Sequence, residues 1–195
     1  MGVPTRRAGA DDRTAVVDLL HRAFSKDAVS LWVFPDPGQL ERNHGRLMGA
    51  FFDMALEGGW IDLVEDGSAV ALWQSVPAGD HGDDDPAGFR ASIDPANQRI
   101  EEISRLTAEA HPKGRAHDHL MVIGVEPELH GKGIGGDLIA SVLGRCDREG
   151  RPAYLEASSL RSRALYERLG FTFMGRTIDL PGGPAMYPMW REPRG

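Results

Sequence analysis

Residues 119–137 have the sequence HLMVIGVEPELHGKGIGGD, and they decide how this 195-residue chain is organised. The apolar run 120–125 is rich in β-branched residues and predicts a buried strand. Pro127 ends that strand, because proline has no N–H to give to a sheet. Four glycines follow within residues 131–136, and apolar positions then recur at helical spacing up to Gly150. The stretch therefore predicts a strand, a glycine-rich turn and a helix in succession.

This turn has the features of a phosphate-binding site. Glycines let a backbone approach a ligand closely, and a helix start offers N–H groups and a partial positive charge, to which Lys132 adds a mobile one. A P-loop is disfavoured, because no Ser or Thr follows the Gly-Lys pair. The string 131–136 does fit the Gly-x-Gly-x-x-Gly of dinucleotide-binding folds, and Glu156 lies at about the required distance, so spacing leaves that alternative open. The upstream residues argue against it, since they do not show repeated βαβ units.

Two segments resemble signatures of the GNAT superfamily of acyl-CoA N-acetyltransferases. Residues 130–135, His-Gly-Lys-Gly-Ile-Gly, resemble its Gln/Arg-x-x-Gly-x-Gly/Ala pyrophosphate loop, with His130 where Gln or Arg is usual. Residues 164–171, Ala-Leu-Tyr-Glu-Arg-Leu-Gly-Phe, resemble its Leu-Tyr-x-x-x-Gly-Phe signature. Further segments are similar to the puromycin N-acetyltransferase branch, whose members acetylate amines on antibiotics and other small molecules. These segments are 65–73, 154–158, 166–171 and 180–184.

The resemblance implies the GNAT fold, an α/β (α+β) architecture. Its mixed central sheet of about seven strands is splayed at the fourth and fifth strands and flanked by four or five helices. The residue patterns agree: Asp66-Gly67 between β-rich runs predicts a hairpin, and the unit 120–157 predicts a parallel strand pair with a helical crossover. At this length we expect a single GNAT N-acetyltransferase domain, residues 1–195.

Periodicity and punctuation residues predict the remaining elements. Helices are expected at 39–56 and 93–110, and a strand at 171–180. Loops are expected at 26–38 and 77–88. The acidic run Asp83-Asp84-Asp85 in the second loop is either a solvated segment or a lip that attracts a cationic acceptor.

The resemblance also implies how acetyl-CoA binds as a co-substrate. Backbone groups of Ile123, Gly124 and Val125 would contact its pantetheine arm, and Gly124 within a strand also indicates a bulge or a close backbone approach. The glycine turn would bind its pyrophosphate. The turn residues predicted to bind it are His130, Gly131, Lys132, Gly133, Ile134, Gly135 and Gly136.

Tyr166 and Glu156 are the predicted catalytic residues. Tyr166 occupies the tyrosine position of the second signature, and a phenol of ordinary pKa ~10 can protonate a departing thiolate. Glu156 lies on a predicted interior strand, where a carboxylate is costly to bury unless it is paired or functional, and it is the predicted base. The alternatives are a helix-packing role for Tyr166 and a structural salt bridge for Glu156.

Other residues suggest weaker sites. Trp32 and Phe34 in the loop 26–38 are either lids on the core or walls of an acceptor pocket, and we take them as candidate substrate-binding residues. His117 and His119 share one face of a strand, but the sequence places no third ligand beside them, so we predict no metal.

Composition limits the partners. The formal net charge of −7 disfavours nucleic acid and anionic membranes. The single cysteine, Cys146, excludes an intramolecular disulfide framework, and its place on an apolar helix face predicts a buried, inert thiol. The chain shows neither a leader nor an apolar run of ~20 residues, so we expect a cytoplasmic protein.

These observations predict an acetyl-CoA-dependent N-acetyltransferase that acts on a primary amine of a small molecule, as a monomer or homodimer. Two alternatives stay open: an aminoacyltransferase of this fold that takes its donor group from aminoacyl-tRNA, and a non-catalytic acyl-CoA-binding module. The acidic total argues against the first. Retention of Tyr166 and of the intact glycine turn argues against the second.

Overall fold

A computed structural model of the protein describes residues 3–79 and 85–195. Its strands form one mixed sheet in the order β1-β2-β3-β4-β5-β8-β6, with β7 paired to β8. The strands are β1 (Thr5–Arg7), β2 (Gly59–Val64), β3 (Ala69–Val76), β4 (His117–Val125), β5 (Ala153–Ala157), β6 (Thr172–Phe173), β7 (Ile178–Asp179) and β8 (Ala185–Arg191). The helices are α1 (Arg13–Phe24), α2 (Ala28–Val33), α3 (Pro37–Gly58), α4 (Pro86–Ile93), α5 (Gln98–Ala110), α6 (Ile134–Glu149) and α7 (Leu160–Arg168). The predicted α/β class, hairpin and parallel β4–β5 pair are confirmed.

The described ranges contain seven α-helices where four or five were expected, and side-chain caps explain the difference. Asp27 accepts hydrogen bonds from the N–H groups that begin α2, inside the predicted loop 26–38. Asp85 accepts from Gly88 N at the start of α4, within the predicted loop 77–88. Asn97 caps α5, so the helix predicted over 93–110 begins only at residue 98, after the break that follows α4. Asp83 and Asp84, and with them the choice between a solvated segment and an acidic lip, lie outside the described residues.

Helices cover both faces of the sheet, because alternate residues of each central strand point to opposite sides. On β3, Val70 and Leu72 pack into one apolar cluster with α1, α2, α3 and α5. Ala71 and Trp73 pack into a second cluster, with α6, on the other face. Cys146 of α6 is fully buried, as predicted, and burial is the main reason that its pKa rises to about 12. Among the described residues, no helix is long and apolar enough to cross a membrane.

His44 on α3 is a buried histidine that lies away from the sheet. Its Nδ1 atom is 3.0 Å from Nδ1 of His21, and its Nε2 atom is 3.1 Å from the hydroxyl of Ser30. Burial, with a smaller contribution from His21, lowers the pKa of His44 to about 4. An unfolded histidine titrates near ~6.5, so the unfolded chain takes up this proton first as the pH falls. His44 therefore contributes stability above pH ~6.5 that is lost as the pH falls towards 4.

We expect the His44 effect to be measurable as a difference between two proteins. Between pH 7 and pH 4.5, the wild type should lose about 2–3 kcal/mol more unfolding free energy than His44→Gln, which has no group to titrate there. Urea unfolding of both proteins at the two pH values measures this difference. Equal losses would show that His44 titrates normally in the folded state.

Candidate active site

The site forms where β4 and β5 separate. The two strands pair in parallel only from Asp118 to Leu120 of β4 and from Ala153 to Leu155 of β5. Beyond those pairs lies a cavity of about 1030 Å³, lined by Met121 to Ile123 of β4 and by Leu155 and Glu156 of β5. The predicted splay of the fourth and fifth strands is thereby confirmed.

The bulge in β4 is at Met121, so of the two explanations offered for Gly124, a bulge or a close backbone approach, the bulge is wrong. Leu120 pairs with Trp73 and Val122 with Leu72, which leaves Met121 as the extra residue, next to the point of separation. Gly124 is required for a different reason. A Cβ atom there would lie 2.8 Å from Cδ2 of Leu20 on α1, so this glycine lets helix α1 pack closely against β4.

The glycine turn presents a row of backbone donors at the start of α6. Gly131 and Gly133 have φ values of +81° and +85°, in the left-handed region that favours glycine, and a Cβ at either would meet nothing within 4 Å. Asp137 is the first residue of the helix whose N–H is bonded, to the carbonyl of Gly133 at 3.0 Å. Within the described chain, the N–H groups from 133 to 136 have no backbone acceptor. Such donors, together with the positive end of the helix dipole, suit an anionic ligand.

Two of the predicted turn residues donate their backbone N–H groups to carbonyls of the protein itself. The N–H of His130 donates to the carbonyl of Pro127, and that of Lys132 to the carbonyl of Leu129, each at 3.3 Å. The imidazole Nε2 of His130 donates to the carbonyl of Val125 at 3.0 Å. His130 therefore ties the turn to β4, and the carbonyl of Val125 is bonded within the protein. The remaining donors are the amides of residue 131 and of residues 133–136.

Tyr166 is the buried residue of α7, with 7% of its surface exposed, and it lines the cavity. Its ring makes an edge contact with Phe171 at 6.0 Å. Helix α7 packs beside the start of α6, since a Cβ at Gly136 would touch the side chain of Leu165. Burial raises the pKa of Tyr166 to about 12, so its hydroxyl keeps its proton at neutral pH.

Glu156 faces the same cavity and is paired with a histidine. Its Oε2 atom is 3.0 Å from Nε2 of His119, and the side chains are only 9% and 13% exposed. Burial acts to raise the pKa of Glu156, but the charges of His119 and His111 and the hydrogen bond from His119 outweigh it and hold that pKa below its ordinary value. Glu156 is therefore a carboxylate at neutral pH. The sequence did not reveal this pair, because it depends on the parallel register that sets β4 beside β5.

Trp32 and Phe34 are lids on the core rather than walls of the cavity. They are 7% and 1% exposed, and neither lines the cavity. The indole Nε1 of Trp32 donates to the carbonyl of Pro181 at 3.0 Å, and the guanidinium of Arg99 lies over its ring. Helix α2, which was not expected, turns both side chains inward, and we do not retain them as substrate-binding candidates.

Comparison with known families decides the class of this site. Residues 93–189 match the family described as "Acetyltransferase (GNAT) domain". The chain contains a GNAT acetyltransferase domain. The matched segment of this acyltransferase domain includes the glycine turn, the His119–Glu156 pair and Tyr166.

Relatives of the GNAT domain support this assignment. The chain is 42% identical over 55 residues to an uncharacterized N-acetyltransferase of Schizosaccharomyces pombe, covering 28% of this chain and 22% of that protein. It is 35% identical over 91 residues to a mycothiol acetyltransferase of Salinispora arenicola, covering 45% of this chain and 29% of the relative. The chain thus spans less than a third of the length of either relative. A solved structure from Corynebacterium glutamicum, titled as histone acetyltransferase HPA2 and related acetyltransferase, superposes with a TM-score of 0.73 at 26% identity, covering 100% of this chain and 98% of that one.

Proposed function

We propose that the chain is an acetyl-CoA-dependent N-acetyltransferase whose acceptor is a primary amine on a small molecule with an apolar body. The observation that carries the proposal is that Tyr166 and the His119–Glu156 pair line one cavity at the splay of β4 and β5. The open glycine turn that begins α6 supplies the phosphate-binding element beside it. The puromycin-like branch remains a prediction. The relative named for mycothiol is compatible with a small-molecule acceptor.

The lining of the cavity supports an apolar acceptor. Aromatic and aliphatic side chains from α1, α2, α3, α4 and α5 form much of its wall. Burying such surface favours an acceptor whose amine projects from an apolar group, at roughly 25 cal/mol per Å² of apolar contact. The lining residues that carry this argument are Phe24, Val33, Met48, Phe51, Phe89 and Ile103.

The reaction assigns each group a role. The amides of residue 131 and of residues 133–136 would hold the pyrophosphate, and the backbone of β4 at Ile123 would contact the pantetheine arm. The amine nitrogen attacks the thioester carbonyl carbon, so a C–N bond forms as the C–S bond breaks. A β4 backbone N–H beyond Leu120, where β5 no longer pairs, would stabilise the oxyanion. The amine proton goes to the His119–Glu156 pair, and the Tyr166 hydroxyl protonates the thiolate.

A panel of primary amines graded by apolar size tests the proposal. The purified protein is incubated with acetyl-CoA and each amine, and both free thiol and the N-acetyl product are measured. We expect turnover that increases with the apolar size of the acceptor. Binding of CoA without turnover on any amine would favour the non-catalytic module, and salt-sensitive binding of tRNA would favour the aminoacyltransferase.

A matched pair of glycine variants shows whether the turn binds the donor. Gly133→Ala and Gly175→Ala place a methyl group at φ values of +85° and +88°, each with open space around it, so their intrinsic backbone strain is similar. Only the first lies in the turn. We expect Gly133→Ala to raise the KM for acetyl-CoA about tenfold or more, because it misaligns charge-assisted hydrogen bonds, and Gly175→Ala to leave it unchanged.

A further inference from the structure

Three side chains that could coordinate a metal meet in the wall of the cavity. They are His111, at the end of α5, His119 of β4 and Glu156 of β5. One potential ligand atom from each lies within 4.8 Å of the other two, and all three residues line the cavity, which gives an ion a path to them. Two imidazoles and a carboxylate are a common ligand set for zinc, with a fourth position open to water. The sequence placed His119 near His117 on one strand. It gave no sign that His111 and Glu156, which are distant along the chain, would lie beside His119.

A second layer of contacts orients His111. The Nδ1 atom of His117 lies 2.8 Å from the carbonyl of Arg115, so Nδ1 carries the hydrogen and donates. With its hydrogen on Nδ1, the neutral ring of His117 has an acceptor at Nε2. Nε2 of His111 lies 3.0 Å from that acceptor and must be the donor. In the neutral ring of His111, the lone pair is then on Nδ1. A metal-binding histidine is typically held in this way by a hydrogen bond from its other nitrogen.

A buried tyrosine adjoins the same cluster. The ring of Tyr154 contacts the rings of His111, His117 and His119, with centroids 4.8, 5.9 and 5.2 Å away. Tyr154 is fully buried, so its ring holds these imidazoles in place by packing.

We propose that His111, His119 and Glu156 form a binding site for a zinc ion. The Nε2 and Oε2 atoms of the His119–Glu156 pair are 3.0 Å apart. Tetrahedral zinc with bonds of about 2.0–2.1 Å needs its ligand atoms about 3.3 Å apart, so a small side-chain movement admits the ion. The ion takes the place of the proton between Nε2 of His119 and Oε2 of Glu156. That proton moves to Nδ1 of His119 or to solvent.

Zinc at this position inhibits the acetyl transfer, a consequence that rests on the proposed function. The metal takes the lone pair of His119 and one carboxylate oxygen of Glu156, so the pair no longer accepts the proton of the amine. Its bound water also fills space where an acceptor amine would enter. The structure therefore assigns to one cluster both a proton acceptor in the metal-free protein and a metal site that switches it off.

Zinc binding to the full chain, stripped of metal with a chelator, tests the site without any enzyme assay. Competition with a chromogenic zinc indicator should show one site per chain, and an excess of about 100-fold over the Kd should raise the Tm by about 5–10 °C. We expect His111→Ala to weaken zinc binding about 100-fold. His117→Phe removes the hydrogen-bond acceptor of His111 and should weaken zinc binding about 10–100-fold. Mg²⁺, which prefers oxygen ligands, should not compete.

The control is the contact between His21 of α1 and His44 of α3. His21→Gln removes one member of the His21–His44 contact, which lies outside the cavity, and it should bind zinc like the wild type. Loss of binding in this variant, or equal binding in His111→Ala and wild type, would overturn the proposed site. Circular dichroism checks that each variant is folded, and His111→Asn replaces His111→Ala should the latter unfold.

Inhibition is read from the N-acetyl product by mass spectrometry, because zinc also binds the thiol of CoA. The zinc concentration that halves the rate should rise about 100-fold in His111→Ala, relative to the zinc-free rate of that variant. One zinc site in a protein that acetylates no amine would count against the proposed function and not against the site. If the rate of acetyl transfer stays the same when the zinc site is saturated, the inhibitory role is wrong.

Discussion

Replacing Tyr166 with phenylalanine is expected to lower kcat about 100- to 1,000-fold while leaving the KM for acetyl-CoA nearly unchanged. Phenylalanine keeps the ring that packs against Phe171 and removes only the hydroxyl. General acid catalysis contributes about 10²–10⁴ in rate, and the thiolate would then leave without a proton donor. Burial raises the pKa of Tyr166 to about 12, so its hydroxyl stays protonated up to pH ~11. Deprotonation of Tyr166 should therefore not lower the rate of the wild type below that pH. Steady-state kinetics from pH 6 to 10 measure both effects.

Tyr187 supplies the matched control for this experiment. It is half-buried on β8, packs against Phe173 and does not line the cavity. Tyr187→Phe removes the same atom from a place with no assigned role, and its kcat should stay within about twofold of the wild type. Full turnover by Tyr166→Phe would assign this tyrosine to packing alone.

The sequence predicted the parts of the site that depend on neighbours along the chain. The strand, the glycine turn and helix α6 are consecutive, so apolar spacing and glycine positions were enough to find them. Tyr166 was found through the resemblance of residues 164–171 to the second GNAT signature, which is also a short local segment. The parallel pairing of β4 and β5 followed from the strand–helix–strand order, whereas their splay was implied by the resemblance to the GNAT fold.

What the sequence could not predict depends on register and on packing between distant segments. The bulge at Met121 arises where β4 must match β3 on one side and leave β5 on the other, and no residue type marks it. For Gly124 the sequence left a bulge or a close backbone approach open, and the close approach is correct, because its missing side chain accommodates Leu20. The sequence around Trp32 does not show whether its side chain faces the core or the cavity. Helix α2, which was not expected, turns that side chain towards the core.

Replacing Glu156 with glutamine is expected to lower kcat/KM about 100-fold or more. The amide has nearly the same shape but carries no charge, so the pair with His119 loses its anion while the fold stays intact. A carboxylate whose pKa is held below its ordinary value is a weak base by itself, but it stabilises the charge that an imidazole gains when it takes a proton. His119 is then the group that accepts the proton, and Glu156 positions it. We therefore expect the acidic limb of the pH–rate profile to change in Glu156→Gln.

The double variant distinguishes this pair from two independent residues. If His119 and Glu156 act as a unit, the combined loss in Glu156→Gln with His119→Asn should be about as large as in the more damaging single variant, rather than the product of the two. Glu167→Gln is the matched control, because Glu167 is an exposed glutamate of α7 that pairs with Arg163 and lies outside the cavity. Its rate and pH profile should equal those of the wild type. An unchanged profile in Glu156→Gln, or strictly multiplicative losses in the double variant, would show that the carboxylate serves the structure of β5 and not the transfer of the proton.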